Sequence, residues 1–386
     1  MAETIVIAGS LAQKPRYAGH SWVFLQYLLG FRRLGWDVLF LDQLDPAMCV
    51  DAAGRRCELD QSLNLRYTLE VMERFDLAGA FALIYNRGER WVGLSRQDVL
   101  ERVKGSAFLL SVMGYLADEE ILGRAPRRVF LDIDPGFGQM WRELGLHDPF
   151  QGYDDYVTIG ENIGQPGCEI PTCGLEWITT RPPVVLDYWP VQTSDVGAWF
   201  TSIASWRGAY GPLEYQGKTY GLRVHEFRKF AQLPRLAGQP FQLALDIHPA
   251  EVNDRALLEA SGWTLVDPKG VAGNPWAYQR YIQRSRAEFM TAKNIYVQAN
   301  SGWFSDRSAC YLASGKPVLA QDTGLERLYP TDEGLLTFTT PEEALAGVEE
   351  LSRDYAHQAQ AARAVAVEYF DSDKVLSQLL GKLGVA

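Results

Sequence analysis

Residues 300–324 read N-S-G-W-F-S-D-R-S-A-C-Y-L-A-S-G-K-P-V-L-A-Q-D-T-G. Ser301 and Gly302 suit a tight turn, and residues 305–313 have helical character. Gly315 then ends the helix and Pro317 follows shortly after, the usual order at a helix stop. Residues 318–320 form a short apolar strand, and Gln321, Asp322, Thr323 and Gly324 a polar turn. Ser301, Ser305, Asp306, Arg307 and Ser308 gather at the start of the helix, where unpaired N–H groups and the helix dipole favour an anion. The stretch therefore predicts a turn, a helix, a buried strand and a polar turn, and suggests a phosphate-bearing ligand.

The same alternation extends in both directions. Near the start, T-I-V-I-A-G-S (4–10) reads as a strand, residues 20–34 as a helix and 37–41 as a second strand, which opens a parallel sheet. Further strands are expected at 80–85, 107–112, 129–133 and 157–160, with helices at 97–103 and 140–144. Residues 165–195 carry five prolines and little periodicity, which suits a crossing between domains. A second alternation follows, with strands at 199–204, 241–246, 263–266 and 295–298. Helices are expected at 222–230, 251–260 and 276–289, the last with Arg280, Arg284, Arg286 and Glu288 on a solvated face. Helices at 341–351, 355–369 and 373–383 close the chain. The expected fold class is α/β, with two Rossmann-like doubly wound domains facing a cleft. The expected boundaries are 1–190 and 191–370, with a terminal helix at 371–386 that packs back toward the first domain.

Composition bounds the function. The chain has 386 residues, 47% of them hydrophobic, enough for two cores. Its net charge of −11 and lack of a basic run argue against a nucleic-acid partner. No apolar run reaches the ~18 residues of a membrane span. The N-terminus enters a strand directly, so no signal peptide is expected and the location is expected to be cytoplasmic. Five cysteines without a C-x-x-C pair read as reduced thiols.

Other candidates lie at strand ends. The loop after the strand at 199–204 carries Arg207 and Lys218 among glycines. It could hold a diphosphate, or the two cations could be solvated surface charges. His20, at the loop–helix boundary after the first strand, suits a general base at neutral pH or a cap. Asp132 and Asp134, in F-L-D-I-D-P-G-F-G-Q, could orient that imidazole or serve as turn residues. His248 could reach a pyrophosphate. Asp132, Gln139, Glu161 and Asn162 are candidates for the acceptor side of a cleft. Trp22, Phe24 and Tyr27 on the first helix read as packing.

These features together resemble the GT-B class of sugar-nucleotide-dependent glycosyltransferases, families 1 and 4 among them. The resemblance rests on Ser314-Gly315-Lys316-Pro317-Val318 followed by Gln321-Asp322. It also rests on Gly19-His20 with Arg33, Gly35 and D-V-L-F (37–40), and on the tail from Glu333 through T-T-P-E-E-A-L. It implies a transferase that moves a sugar from a nucleotide-diphosphate donor to a hydroxyl of a small molecule or glycan. Donor binding would fall to the second domain, acceptor binding to the first. No cofactor and no essential metal are implied. His20 and Asp134 would be catalytic. Arg207, Lys218, His248, Ser301, Gly302, Ser305, Asp306, Arg307, Ser308, Gln321, Asp322, Thr323 and Gly324 would hold the donor. One departure stands out: many members of the class place a ribose-binding Glu five residues before Gly315, where this chain has Cys310. A binding protein without chemistry, an epimerase or a phosphorylase on the same architecture are the alternatives.

Overall fold

A computed structural model describes residues 3–192, 197–208 and 210–385. The first sheet contains β1 (Thr4–Gly9), β2 (Asp37–Leu44), β3 (Phe81–Tyr85), β4 (Arg90–Gly93), β5 (Ser106–Val112), β6 (Arg128–Asp132), β7 (Asp155–Thr158) and β8 (Trp177–Thr179). Their order is β4-β3-β2-β1-β5-β6-β7-β8, parallel except for the β3–β4 pair. All six residues of β1 are buried. Ile5 and Ile7 face one apolar cluster, Val6 and Ala8 another, as a central strand covered on both sides requires.

The second domain begins with β9 (Phe200–Ser205). A short antiparallel hairpin follows, β10 (Leu213–Tyr215) and β11 (Lys218–Tyr220). With β12 (Phe241–Asp246), β13 (Trp263–Val266), β14 (Ala287–Met290), β15 (Val318–Gln321) and β16 (Leu335–Phe338), the second sheet has the order β13-β12-β9-β14-β15-β16 and is parallel throughout.

The structure departs from the sequence reading between 275 and 298. The helix expected over 276–289 stops at Arg284, and β14 occupies the following residues. The expected strand at 295–298 is instead the helix Asn294–Gln298. Arg286 and Glu288 made the segment look like a solvated helical face, yet Glu288 is fully buried and paired with Arg307. The strand-favouring run Ile295-Tyr296-Val297 is overridden by tertiary contacts. Asn294 accepts from the Gly221 N–H (2.6 Å) and donates to buried Glu226 (2.6 Å), which fixes a helical turn there. The Pro-rich region also contributes β8 to the first sheet, which periodicity did not show.

The chain crosses between the domains twice, and the crossings bond to each other. Val184 N–H donates to the Phe370 carbonyl (2.7 Å) and Ser372 N–H to the Val184 carbonyl (2.9 Å). The Ser372–Lys382 helix then packs on the first helix, Ala18–Arg33, where Arg33 pairs with Asp373 (3.1 Å) and Leu376 lies against Gly30. That first helix also joins the domains: Trp22 donates to the Pro275 carbonyl (2.9 Å) and stacks at a tilt on Trp189.

Candidate active site

Loops at the carboxyl ends of the two sheets meet across the gap between the domains. From the end of β1, the Tyr17 hydroxyl reaches Asp246 at the end of β12 (2.9 Å), and Arg16 donates to the Lys269 carbonyl (2.9 Å). From the end of β6, Asp134 receives Lys293 (2.5 Å) and the Tyr296 hydroxyl, both beyond β14. Gly136 permits this approach: its φ is +113° and a Cβ there would meet Ile295 at 2.8 Å. Between these contacts lies a cavity of about 280 Å³, lined by Arg16, Tyr17, His20, Arg223, Asp306 and Arg307 among others.

His20 bonds through Nε2 to the Ser10 carbonyl (3.2 Å) and the Ser10 hydroxyl (2.9 Å). A carbonyl only accepts, so Nε2 carries the proton and Nδ1 keeps its lone pair. Burial, then the charge of Lys14, push the imidazole pKa down to about 3 against the Ser10 bond, so the ring is neutral.

Two arginines face this cavity in different states. Arg307 is buried, with Nε on Glu288 and Nη1 on the Ile203 carbonyl (2.7 Å). Burial alone would lower its pKa, but the Glu288 charge overrides that and holds it above the usual value. Among the described residues Arg223 donates only to backbone, to Thr291 O (3.2 Å) and Ser205 O (3.3 Å), and has no carboxylate within ion-pair distance. Burial and the nearby Arg307 push its pKa down to about 10. Among the described residues, no group of three or more His, Cys, Asp or Glu side chains is placed to hold a metal ion.

Residues 242–381 match the family model described as glycosyl transferase-like. An alpha-glucosyltransferase solved with UDP and a 13-mer DNA superimposes with a TM-score of 0.61 at 12% identity, covering 100% of both chains. Anabaena Alr3699/HepE in complex with UDP and glucose gives a TM-score of 0.55 at 13% identity over 99% of each chain. Sucrose-phosphate synthase from Thermosynechococcus elongatus gives 0.53 at 11%, again over 99% of each. The chain has a GT-B fold with a glycosyl transferase-like second domain. No curated protein matches its sequence.

Within this GT-B frame, three of the residues expected from sequence line the cavity: His20, Asp306 and Arg307. The helix Asp306–Ala313 starts with Asp306, whose own carboxylate occupies the anion position expected there; burial raises its pKa, opposed by Arg307. Cys310 is buried one turn on, where its sulfur accepts weakly from Gln26 of the first domain (3.7 Å). It belongs to the domain interface, and Asp306, with Asp246, supplies a carboxylate on the cavity wall. Ser305 caps without a side-chain bond, and the Ser308 hydroxyl is buried without a partner.

The other expected donor residues serve the structure. The Ser301 hydroxyl donates to Tyr296 O (3.2 Å), Thr323 donates to Trp303 O (2.7 Å), and Asp322 caps its own turn through the N–H groups of Gly324 and Leu325. Asn162, expected on the acceptor side, donates across the interface to Asn300 O (3.1 Å) and Gly324 O (3.2 Å). Gly302 must lack a side chain because a Cβ would meet Asn162 at 2.8 Å. Gln321 is buried between Ala292 N–H and Glu226. Arg207 pairs with Glu251, Lys218 with Glu169 (2.5 Å), and exposed His248 accepts from Ala250 N–H (3.1 Å). None of these lines the cavity.

On the first-domain side, Asp132 is buried and receives Gln139 (2.7 Å) and Thr158 (3.0 Å), with its pKa raised by burial to about 6. Gln139 also accepts from Gly136 N–H (2.8 Å). The pair braces the loop that presents Asp134, whose two oxygens are taken by Lys293 and Tyr296 rather than by His20. Glu161 is held by Arg181 (3.1 Å) and Tyr329. The residues that sequence reasoning missed are Lys14, Arg16, Tyr17, Arg223, Asp246 and Lys269. A signal existed for some of them: K-P-R at 14–16 puts cations in a loop that leads into a helix, and G-L-R at 221–223 puts one at a helix start.

Proposed function

We propose that this protein is a glycosyltransferase that moves a sugar from a nucleotide-diphosphate donor to a hydroxyl of a small-molecule or glycan acceptor, without an essential metal. The observation that carries the reading is Arg223. Its guanidinium faces the interdomain cavity, fixed by two carbonyls and ion-paired to no carboxylate among the described residues; the charges of Asp134 and Glu288 act on it without touching it. Such a group supplies fixed positive charge where a diphosphate leaves. Several structural neighbours were solved with UDP, which favours a nucleotide-sugar donor here.

In the inverting form of this reaction, the acceptor oxygen bonds to the anomeric carbon as the bond to the diphosphate oxygen breaks. The electron pair leaves on the diphosphate, which Arg223 and Lys269 stabilise. The hydroxyl proton passes to His20 Nδ1, while Ser10 holds the ring through Nε2. Asp306, at the cavity wall, replaces the missing carboxylate at 310 as the ribose partner. The acidic chain favours a non-nucleic acceptor.

The test mixes the protein with UDP-, GDP- and dTDP-sugars in EDTA and follows release of nucleoside diphosphate. Slow hydrolysis, accelerated by an acceptor, is expected. Tight binding without turnover would mark a binding protein. Interconversion of the free sugar nucleotide would mark an epimerase, and a requirement for inorganic phosphate a phosphorylase.

A further inference from the structure

One cation on the first-domain side of the gap has no ion-pair partner among the described residues. The Lys14 ammonium makes no hydrogen bond or ion pair among the described residues; it lies 5.9 Å from the centre of the Tyr115 ring. The position is built, not incidental. Ala12 N–H donates to buried Asp42 (2.6 Å), Asn64 donates to Ala12 O (2.8 Å), and Gln13 donates to Gln43 O (3.0 Å), so three side chains pin the backbone just before Lys14. Tyr115 in turn stands edge-on to His20, with ring centres 6.3 Å apart.

The surroundings offer Lys14 little compensation. Its side chain is exposed, yet enough protein surrounds the ammonium that burial, with Lys293, holds its pKa below the usual lysine value against Asp134. Asp134 itself is engaged by Lys293 and Tyr296. The Lys14 charge also depresses the basicity of His20. An uncompensated cation beside a group read as the base is a poor arrangement for a neutral acceptor. It becomes a good one when the acceptor brings the counter-charge, because the field that weakens the imidazole is then cancelled on binding.

Resting on the glycosyltransferase reading, we propose that the acceptor carries an anionic group, a phosphate or a carboxylate, which pairs with Lys14 while the acceptor hydroxyl lies at His20. The donor diphosphate does not take this role. Its cation, Arg223, is fixed from the second domain by β9 and by the residue after β14, whereas Lys14 belongs to the first domain above Tyr115.

The experiment measures equilibrium binding of glucose 6-phosphate, glucuronate, inorganic phosphate and glucose, each with and without saturating UDP, GDP or dTDP. The proteins compared are wild type, Lys14→Met, Lys14→Arg and, as a remote charge control, Lys104→Met. At least one anionic sugar is expected to bind about tenfold or more tighter than glucose, and to raise the His20 pKa seen by NMR. Lys14→Met should lose that preference, while Lys14→Arg and Lys104→Met keep it. Preference for the phosphate or for the carboxylate names the source of the charge. The proposal is overturned if no anion binds in a Lys14-dependent way, or if Lys14→Met instead weakens nucleoside diphosphate binding tenfold. If anionic sugars bind through Lys14 but no nucleoside diphosphate binds, the transferase reading fails and the anion site stands.

Discussion

Arg307 and Arg223 face the same cavity from the same domain, yet the protein uses them in opposite ways. Arg307 stands at the start of a helix, the place where an anion-binding arginine is looked for. Beneath it, however, lies Glu288, which has no exposure to solvent. Arg223 stands in an inconspicuous short helix and, among the described residues, is oriented by carbonyl oxygens alone. A carboxylate partner converts a cation into a structural element, because the pair is neutral and its geometry is spent. Carbonyls orient a guanidinium and leave its charge in place. The charge available to a ligand is thus decided by what lies behind each arginine, and not by the element that carries it.

The sharpest way to break this comparison is to remove Arg307. Arg307→Ala strands Glu288 in the core, where its second oxygen already lacks a partner. The expected loss of stability is about 3–5 kcal/mol, read from denaturant unfolding. A variant that folds normally but fails to bind nucleoside diphosphates would instead make Arg307 the ligand's arginine. Arg223→Met should do the reverse. The melting temperature should hold within a few degrees, while affinity for the nucleoside diphosphate falls by roughly 10–100-fold, the usual cost of a lost charge-assisted bond. Unchanged affinity in a folded Arg223→Met protein would remove the donor-site assignment.

The fold was readable because its strands obey local rules. The short apolar runs at 4–9, 241–246 and 318–321, each followed by turn residues and the first two by a helical period, are what a doubly wound sheet demands. Reading failed between 275 and 298, where the deciding partner is 19 residues from Glu288 in the chain and no local pattern announces it. The site was half readable for the same reason. His20 is placed by the strand-to-helix turn that precedes it. The polar turn at 321–324 has the spelling of a ligand loop, but its groups are consumed by Asn162 across the interface and by Trp303 and Glu226 within the second domain. Arg223 gave no signal beyond its position, since the two carbonyls that hold it come from residues 205 and 291.

His20 extends the comparison to acid. The unfolded chain binds a proton on this residue below about pH 6.5, whereas the folded protein refuses it until about pH 3. Stability contributed by the neutral ring is therefore complete above pH 6.5 and is lost as pH falls toward 3, by at most about 1.4 kcal/mol per pH unit. His20→Gln should flatten the decline in melting temperature between pH 7 and pH 5 and abolish most turnover. Near-normal turnover in that variant would take the role of base away from His20.

The smallest expected effect separates loop cations from cavity cations. Arg207 and Lys218 have the composition of a diphosphate loop, with glycines on either side, and both end in exposed ion pairs, with Glu251 and Glu169. Exposed pairs of this kind contribute little, because solvent screens them and both side chains must be ordered. Arg207→Ala and Lys218→Ala should therefore leave nucleoside diphosphate affinity within about twofold of wild type. A tenfold loss in either would mean that the loop closes onto the donor and exchanges its carboxylate for phosphate. The contrast between Arg223 and Arg307 would then no longer hold as a rule for this cleft, since a carboxylate partner would have proved exchangeable. A null result in both, beside a large loss in Arg223→Met, locates the available positive charge on the cavity wall.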